Sequence, residues 1–165
     1  LGKRVSTVEE VERIIDRVPK INFYVTDEIF ADYDMRRDVF NELTKIVNRS
    51  KRFTFVIDEL ASVTLKPGSR VASCPAQLQI TVRRREKPPW YIGVYVTAQR
   101  LKDCDVDLLS QVDHLLMWDM YPMDVDYIEE KLGIEIRSRV ESLEKYQYVY
   151  YCHEDKSVSV GKLEL

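Results

Sequence analysis

The stretch Phe53-Thr54-Phe55-Val56-Ile57-Asp58-Glu59 constrains this chain more than any other. A short apolar run of β-formers, ended by two adjacent carboxylates, predicts a parallel strand buried on both faces. Open α/β sheets bind ligands beyond the carboxyl ends of such strands, which puts Asp58 and Glu59 where chemistry is done. One carboxylate there can hold Mg²⁺, directly or through water, while its neighbour polarises an attacking water. Nucleotide hydrolysis needs that division of labour. A plain core strand ending in two solvated acids carries the same local pattern, so the rest of the chain has to decide.

The chain around it alternates helix and strand. Ser6-Thr7-Val8-Glu9 has the spacing of a capping box. Val8, Val11, Ile14 and Ile15 then predict an amphipathic helix to about Arg17, stopped by Pro19. Ile21 to Thr26 reads as a strand, and the acidic segment after it as a loop. A second helix is expected from Met35 to Asn48, with Val39, Leu43, Ile46 and Val47 inward. Arg49 to Arg52 is a polar turn into the Asp58 strand. Beyond Glu59, Leu60 to Leu65 is apolar without a firm period, and Lys66-Pro67-Gly68-Ser69-Arg70 is a turn with two cations. Cys74 to Glu86 suits a helix, although Leu78, Ile80 and Val82 alternate as in a strand. A basic cluster, Arg83 to Lys87, ends at Pro88-Pro89. Trp90 to Thr97 is the next strand, Val106 to Gln111 a short helix, and Val112 to Trp118 another strand. Asp124 to Leu132 is a helix stopped by Gly133, and Tyr146 to Cys152 with Val158 to Leu165 forms an edge hairpin. This rhythm is that of an α/β protein with a mainly parallel sheet.

Composition narrows the function classes. A chain of 165 residues, 45% hydrophobic and 32% charged, suits one domain with a real core. A net charge of −3 provides no general basic field, so any polyanion contact must use a local patch. Cys74, Cys104 and Cys152 show neither metal-ligand spacing nor a disulfide framework, which points to a reducing compartment. No apolar run reaches the roughly 18 residues of a membrane span, and no signal-peptide pattern opens the chain. A soluble intracellular protein is the expectation. The opening Leu1-Gly2-Lys3-Arg4, without an initiator Met, fits a fragment or the ordered part of a longer chain.

The second informative site is Thr97-Ala98-Gln99-Arg100, at the end of the strand after the Asp58 strand. An amide both donates and accepts hydrogen bonds, so Gln99 beside Glu59 could hold the attacking water or sense a γ-phosphate. An amide that merely caps the following turn would look the same. His114, inside an apolar strand, reads as a hydrogen-bonded structural residue rather than a ligand, and His153 in the hairpin turn has no partner in sight. The ten tyrosines lie mostly in strands and suit sheet and interface packing better than base stacking.

In their order and spacing these segments resemble a known family. Val56-Ile57-Asp58-Glu59, the basic cluster, Ile92-Gly93-Val94-Tyr95-Val96-Thr97-Ala98-Gln99-Arg100 and Ser110-Gln111-Val112-Asp113-His114-Leu115-Leu116 look like the second half of an FtsK/HerA-type P-loop ATPase. That group of DNA-pumping motors includes genome-packaging ATPases of some membrane-containing and archaeal viruses. The resemblance runs from about Val5 to Met120 and implies a three-layer P-loop NTPase core. It makes Asp58 the Walker B carboxylate for Mg²⁺, Glu59 the catalytic glutamate and Gln99 the polar sensor. It also makes Arg83, Arg84 or Arg85 a candidate finger toward a neighbouring subunit's nucleotide, where a guanidinium would offset charge on the transferring phosphoryl group. A solvated basic face accounts for the same cluster.

One departure stands out. No G-x-x-x-x-G-K-[ST] occurs in the sequence, and Gly2-Lys3 lacks both the upstream Gly and a following Ser or Thr. The backbone cradle for β- and γ-phosphates is therefore not in these residues. The resemblance then implies an ATPase core lacking its N-terminal P-loop βα unit, or else a degenerate member that no longer hydrolyses.

What the resemblance implies is an ATP- and Mg²⁺-dependent double-stranded DNA translocase, most naturally for viral genome packaging. It would be a homo-oligomeric ring, a hexamer, located in host cytoplasm or virion and docking on capsid or membrane-vertex proteins. Lys66 and Arg70 are the candidate contacts to DNA phosphates. A cellular DNA-processing or conjugation ATPase, a non-hydrolysing assembly module, and a different nucleotide-binding α/β protein are the alternatives. The last would need a glycine-rich turn that the chain lacks.

Overall fold

The computed structural model describes residues 2–50, 53–69, 72–84 and 92–164. It divides the chain into two compact units, Leu1–Gln99 with Asp103–Asp105, and Arg100–Lys102 with Val106–Leu165. Among the described residues no helix is long and apolar enough to cross a membrane.

The first unit opens with β1 (Lys3–Val5), a strand the sequence reading did not foresee, followed by α1 (Val8–Ile14) and β2 (Ile21–Phe23). The two strands pair in parallel, Lys3 opposite Ile21 and Val5 opposite Phe23. The N-cap of α1 is Thr7. Its hydroxyl accepts the Glu10 N–H at 3.2 Å, while Glu10 Oε2 accepts the Ser6 N–H at 3.1 Å. The expected capping box is thus displaced by one residue, because Thr7 and Glu10 have the same spacing as Ser6 and Glu9. The acidic segment read as a loop holds a short helix, α2 (Asp27–Ala31), capped by Thr26. Next comes α3 (Tyr33–Arg49), where the Asp32 carboxylate accepts the Met35 N–H at 3.0 Å. Val5, Val11, Ile14, Ile15 and Ile46 form a core here, with Leu43 and Phe53 packed against it.

The Asp58 strand, β3 (Thr54–Ile57), leads into α4 (Ala61–Thr64) and α5 (Ala76–Arg84), and β4 (Gly93–Val96) pairs with β3 in parallel. Leu78, Thr81 and Val82, at i, i+3 and i+4, are the buried face of α5, so the strand-like alternation there is coincidental. Thr81 Oγ1 lies 2.7 Å from Asn48 Oδ1 of α3, which satisfies a hydroxyl with no exposure. The expectation that β3 is buried on both faces is corrected. Ile57 is buried, and Phe55 lies 5.9 Å from the Phe40 ring, but Val56 and its cross-strand partner Tyr95 are each 65% exposed. Strand residues alternate sides, and a run this short does not reveal that only one side is covered. Among the described residues parallel pairing occurs in these two strand pairs, so the architecture is mixed α/β with small sheets.

The second unit contains α6 (Val106–Leu109), β5 (His114–Met117), α7 (Pro122–Leu132), α8 (Arg137–Glu141), β6 (Gln147–Cys152) and β7 (Val158–Lys162). The expected hairpin is present: β6 lies between β5 and β7, antiparallel to both. Leu115, Met117, Val125, Ile128, Ile136, Val149 and Tyr151 belong to its core. Gly133 ends α7 in the left-handed region, φ +65°, and its N–H donates to Glu129 O at 3.0 Å. The helix α8, missed from the sequence, has no cap of its own. Glu129 Oε1 supplies one from α7, accepting the N–H groups of Ile136 at 2.7 Å and Arg137 at 2.9 Å. Those two donors hold its carboxyl below the ordinary 4.5.

Because the folded pKa is depressed, this stabilisation is complete above the ordinary value and is lost as pH falls through the folded one. Glu129→Ala should lower the unfolding free energy by about 1 kcal/mol at pH 7, a typical capping loss. It should also remove part of the acid sensitivity, both read by urea unfolding at pH 7 and pH 4. Cys74 and Cys104 are buried and Cys152 is half-buried, so a thiol reagent should label Cys152 first in native protein and all three cysteines only on unfolding.

Candidate active site

Parallel register decides what stands at the carboxyl end of β3. Ile57 is opposite Val96, which brings Asp58 and Glu59 next to Thr97. The chain leaves β3 through Glu59 at φ +55°, a left-handed conformation that costs a non-glycine residue about 1 kcal/mol. Two backbone hydrogen bonds and one hydroxyl hold that turn. The Thr97 N–H donates to Ile57 O at 2.9 Å, the Leu60 N–H donates to Thr97 O at 2.9 Å, and Leu60 then opens α4. Thr97 Oγ1 accepts the Glu59 N–H at 3.0 Å and donates to Asp58 Oδ1 at 2.5 Å. One hydroxyl therefore fixes the backbone of one acid and the carboxylate of the other.

Two arginines of α3 hold the segment after the turn. Arg36 Nε donates to Ser62 O at 2.7 Å, and its Nη1 donates to Phe30 O. The Arg37 guanidinium reaches Tyr33 Oη at 2.8 Å, Ser73 O at 2.9 Å and Cys74 O at 3.2 Å. On the opposite side, Thr64 Oγ1 donates to Asp103 O at 3.0 Å, and Asp105 Oδ2 accepts the Cys74 N–H at 2.7 Å. These ties join α4 and the loop before α5 to α3 and to Asp103 and Asp105.

The site is electronegative. Burial first, then the charges of Glu59, Asp103 and Asp105, push the Cys104 thiol up to about 12. The Cys104 thiol therefore stays protonated at neutral pH and packs in the interior, without the thiolate that a nucleophile needs. Asp58 is exposed and Glu59 half-buried. Among the described residues no group of three His, Cys, Asp or Glu side chains is gathered to hold an ion. A single exposed carboxylate suits Mg²⁺, which binds through one or two carboxylates and completes its shell with water and phosphate oxygens.

None of the other candidates whose side chains are described is hydrogen-bonded to either carboxylate of this turn. Gln99 is exposed, two residues beyond Thr97, and among the described residues no hydrogen bond joins it to either carboxylate. Arg100, which follows it, belongs to the second unit, where its Nε lies 3.4 Å from Oδ2 of the buried Asp124. Arg83 is exposed near the end of α5. Arg84 is the last residue of that helix, its side chain outside the description, and Arg85 and Arg70 lie outside the described residues. Lys66 Nζ is 3.3 Å from Asp34 Oδ2, so its charge is already partly offset. His114 Nδ1 is 2.8 Å from Tyr150 Oη, a pairing across the sheet. The sequence reading did not single out Thr97, although a hydroxyl residue one position past a parallel strand, opposite an Asp-Glu pair, was the available signal.

No family model matches the sequence, and no curated protein matches it. Solved structures do resemble it. The genome packaging NTPase B204 from Sulfolobus turreted icosahedral virus 2, in complex with AMP, superposes with a TM-score of 0.68 at 16% identity, covering 99% of this chain and 75% of that one. The same protein in complex with sulfate gives 0.74 at 14% identity, covering 99% and 74%. B204, the DNA-packaging ATPase from Sulfolobus turreted icosahedral virus, gives 0.69 at 18% identity, again covering 99% and 74%. Identities this low carry the fold alone. The fold of this chain is that of the viral genome-packaging NTPase B204, in keeping with the FtsK/HerA-type resemblance of its Asp58 and Gln99 strands.

Proposed function

We propose that this chain is the core of an ATP-hydrolysing double-stranded DNA translocase that packages a viral genome. The observation that carries the reading is the Asp58-Glu59 turn at the carboxyl end of parallel β3, tied to the end of parallel β4 through Thr97. Structural likeness to genome-packaging NTPases, solved with AMP and with ATP-gammaS, supports the substrate class. In this reading β3 and β4 belong to the mainly parallel sheet of a three-layer P-loop core, and the 165 residues act as one ATPase domain.

The roles follow from chemistry. Asp58 would hold Mg²⁺, which when bound neutralises charge on the β- and γ-phosphates. Glu59 orients the attacking water and accepts its proton. Gln99, next to the boundary between the units, senses the γ-phosphate and couples its loss to motion. One of Arg83, Arg84 and Arg85 reaches a neighbouring subunit's nucleotide in a ring, a hexamer in this proposal. Lys66 and Arg70 face DNA phosphates, and the ring works in host cytoplasm or virion against capsid or membrane-vertex proteins. The reading requires a phosphate cradle of the G-x-x-x-x-G-K-[ST] kind joined to these residues, since none lies within them. That same missing motif favours the second reading, a non-hydrolysing assembly module.

Glu59→Gln should lower kcat by about 10²- to 10⁴-fold with ATP binding retained, as expected for loss of a general base. Asp58→Ala should instead weaken Mg²⁺-dependent nucleotide binding. Both are read by steady-state turnover and nucleotide titration on the full-length protein. Full activity in both variants overturns the site. A wild-type protein that neither binds nor hydrolyses ATP favours the assembly module.

A further inference from the structure

We infer that Thr97 is the positioning residue of this site, the group that holds the Asp58 carboxylate and the Glu59 backbone in place. The inference rests on the hydrolytic reading of Asp58 and Glu59 and adds a residue to it. Thr97 Oγ1 has one hydrogen to donate and two lone pairs with which to accept. The structure spends the hydrogen on Asp58 Oδ1 at 2.5 Å and a lone pair on the Glu59 N–H at 3.0 Å. Its own backbone is clamped on both sides, N–H to Ile57 O and carbonyl to the Leu60 N–H, each at 2.9 Å. The Asp58 carboxylate and the Glu59 backbone therefore cannot turn without breaking a bond to this hydroxyl.

Each bond has a separate consequence. The bond to Oδ1 leaves the remaining lone pairs of the Asp58 carboxylate facing a chosen direction, which is what a cation ligand requires. The bond to the Glu59 N–H supports a backbone at φ +55° that a glutamate does not adopt without support. That backbone sets where the Glu59 side chain leaves the chain. Without it, Glu59 would relax toward an ordinary conformation and carry its carboxylate off line. The acceptor stands one residue past β4, where its N–H still bonds Ile57 O and continues the β3–β4 ladder, whereas Gln99 lies two residues further on.

Thr97→Val keeps the shape and removes the hydroxyl; Thr97→Ser keeps the hydroxyl and removes the methyl. In the full-length protein, Thr97→Val should lower kcat about 10- to 100-fold and raise the half-saturating Mg²⁺ concentration about 10-fold. The KM for ATP should stay within about threefold, because Thr97 touches no substrate. Thr97→Ser should restore kcat and the Mg²⁺ requirement to within about threefold of wild type, since it remakes both hydrogen bonds. Wild-type kcat and Mg²⁺ dependence in Thr97→Val, or equal damage in Thr97→Ser, overturns the inference. A second readout is amide hydrogen exchange at Glu59, which should accelerate about tenfold or more in Thr97→Val and not in Thr97→Ser. Unchanged exchange also overturns it. If wild type shows no turnover, the hydrolytic reading falls, and exchange at Glu59 still decides whether Thr97 holds the turn.

Discussion

The parallel pairing of β3 with β4, with Ile57 opposite Val96, is the constraint on which the rest of the site depends. A backbone ladder aligns two strand ends that are 39 residues apart in sequence, as the Asp58–Thr97 hydrogen bond records. Once they are aligned, the Thr97 N–H, carbonyl and hydroxyl serve three consecutive residues, Asp58, Glu59 and Leu60, along with Ile57. A shift of one residue would place the Val96 or Ala98 side chain there instead, and neither offers a hydrogen bond. The placement of the two acids is thus a consequence of strand register.

The turn at Glu59 is strained, and the surrounding bonds make that strain tolerable. Arg36 and Arg37 reach out from α3 to the carbonyls of Ser62, Ser73 and Cys74. Hydrogen bonds from a charged donor to a neutral acceptor are worth about 1.5–3 kcal/mol each, more than the cost of one left-handed residue. Thr64 and Asp105 tie the same segment to the chain after β4. Strand end, turn and following helix are therefore set from two sides. The negative field of Glu59, Asp103 and Asp105 that falls on Cys104 is the electrostatic counterpart of that crowding.

Local rules were legible where they act over a few residues. The apolar run before Asp58, the periodicity of α1 and α3, the stop at Gly133 and the hairpin of β6 and β7 all follow from spacing and from the chemistry of Gly, Thr and Asp. Failures came where a second element supplies what the local sequence lacks. α8 has no cap of its own and borrows Glu129 from α7. β1 is three residues long and exists because β2 pairs with it. The ambiguous Leu78-Ile80-Val82 segment is helical, with Leu78, Thr81 and Val82 buried on one face and Thr81 bonded to Asn48 of α3. The exposure of Val56 and Tyr95 was invisible because hydrophobicity does not say which face is covered.

By itself the sequence determined the α/β alternation, the carboxylate pair at a strand end and the resemblance to DNA-pumping ATPases, because these reside in residue type and short-range order. Only the tertiary structure decided that Thr97 binds the carboxylate turn, that Glu59 stands at φ +55°, and that Cys104 lies in the field of Glu59. Hydrogen bonds and electrostatic fields depend on distance in space, and strand register brings those distances about between residues that the sequence keeps far apart.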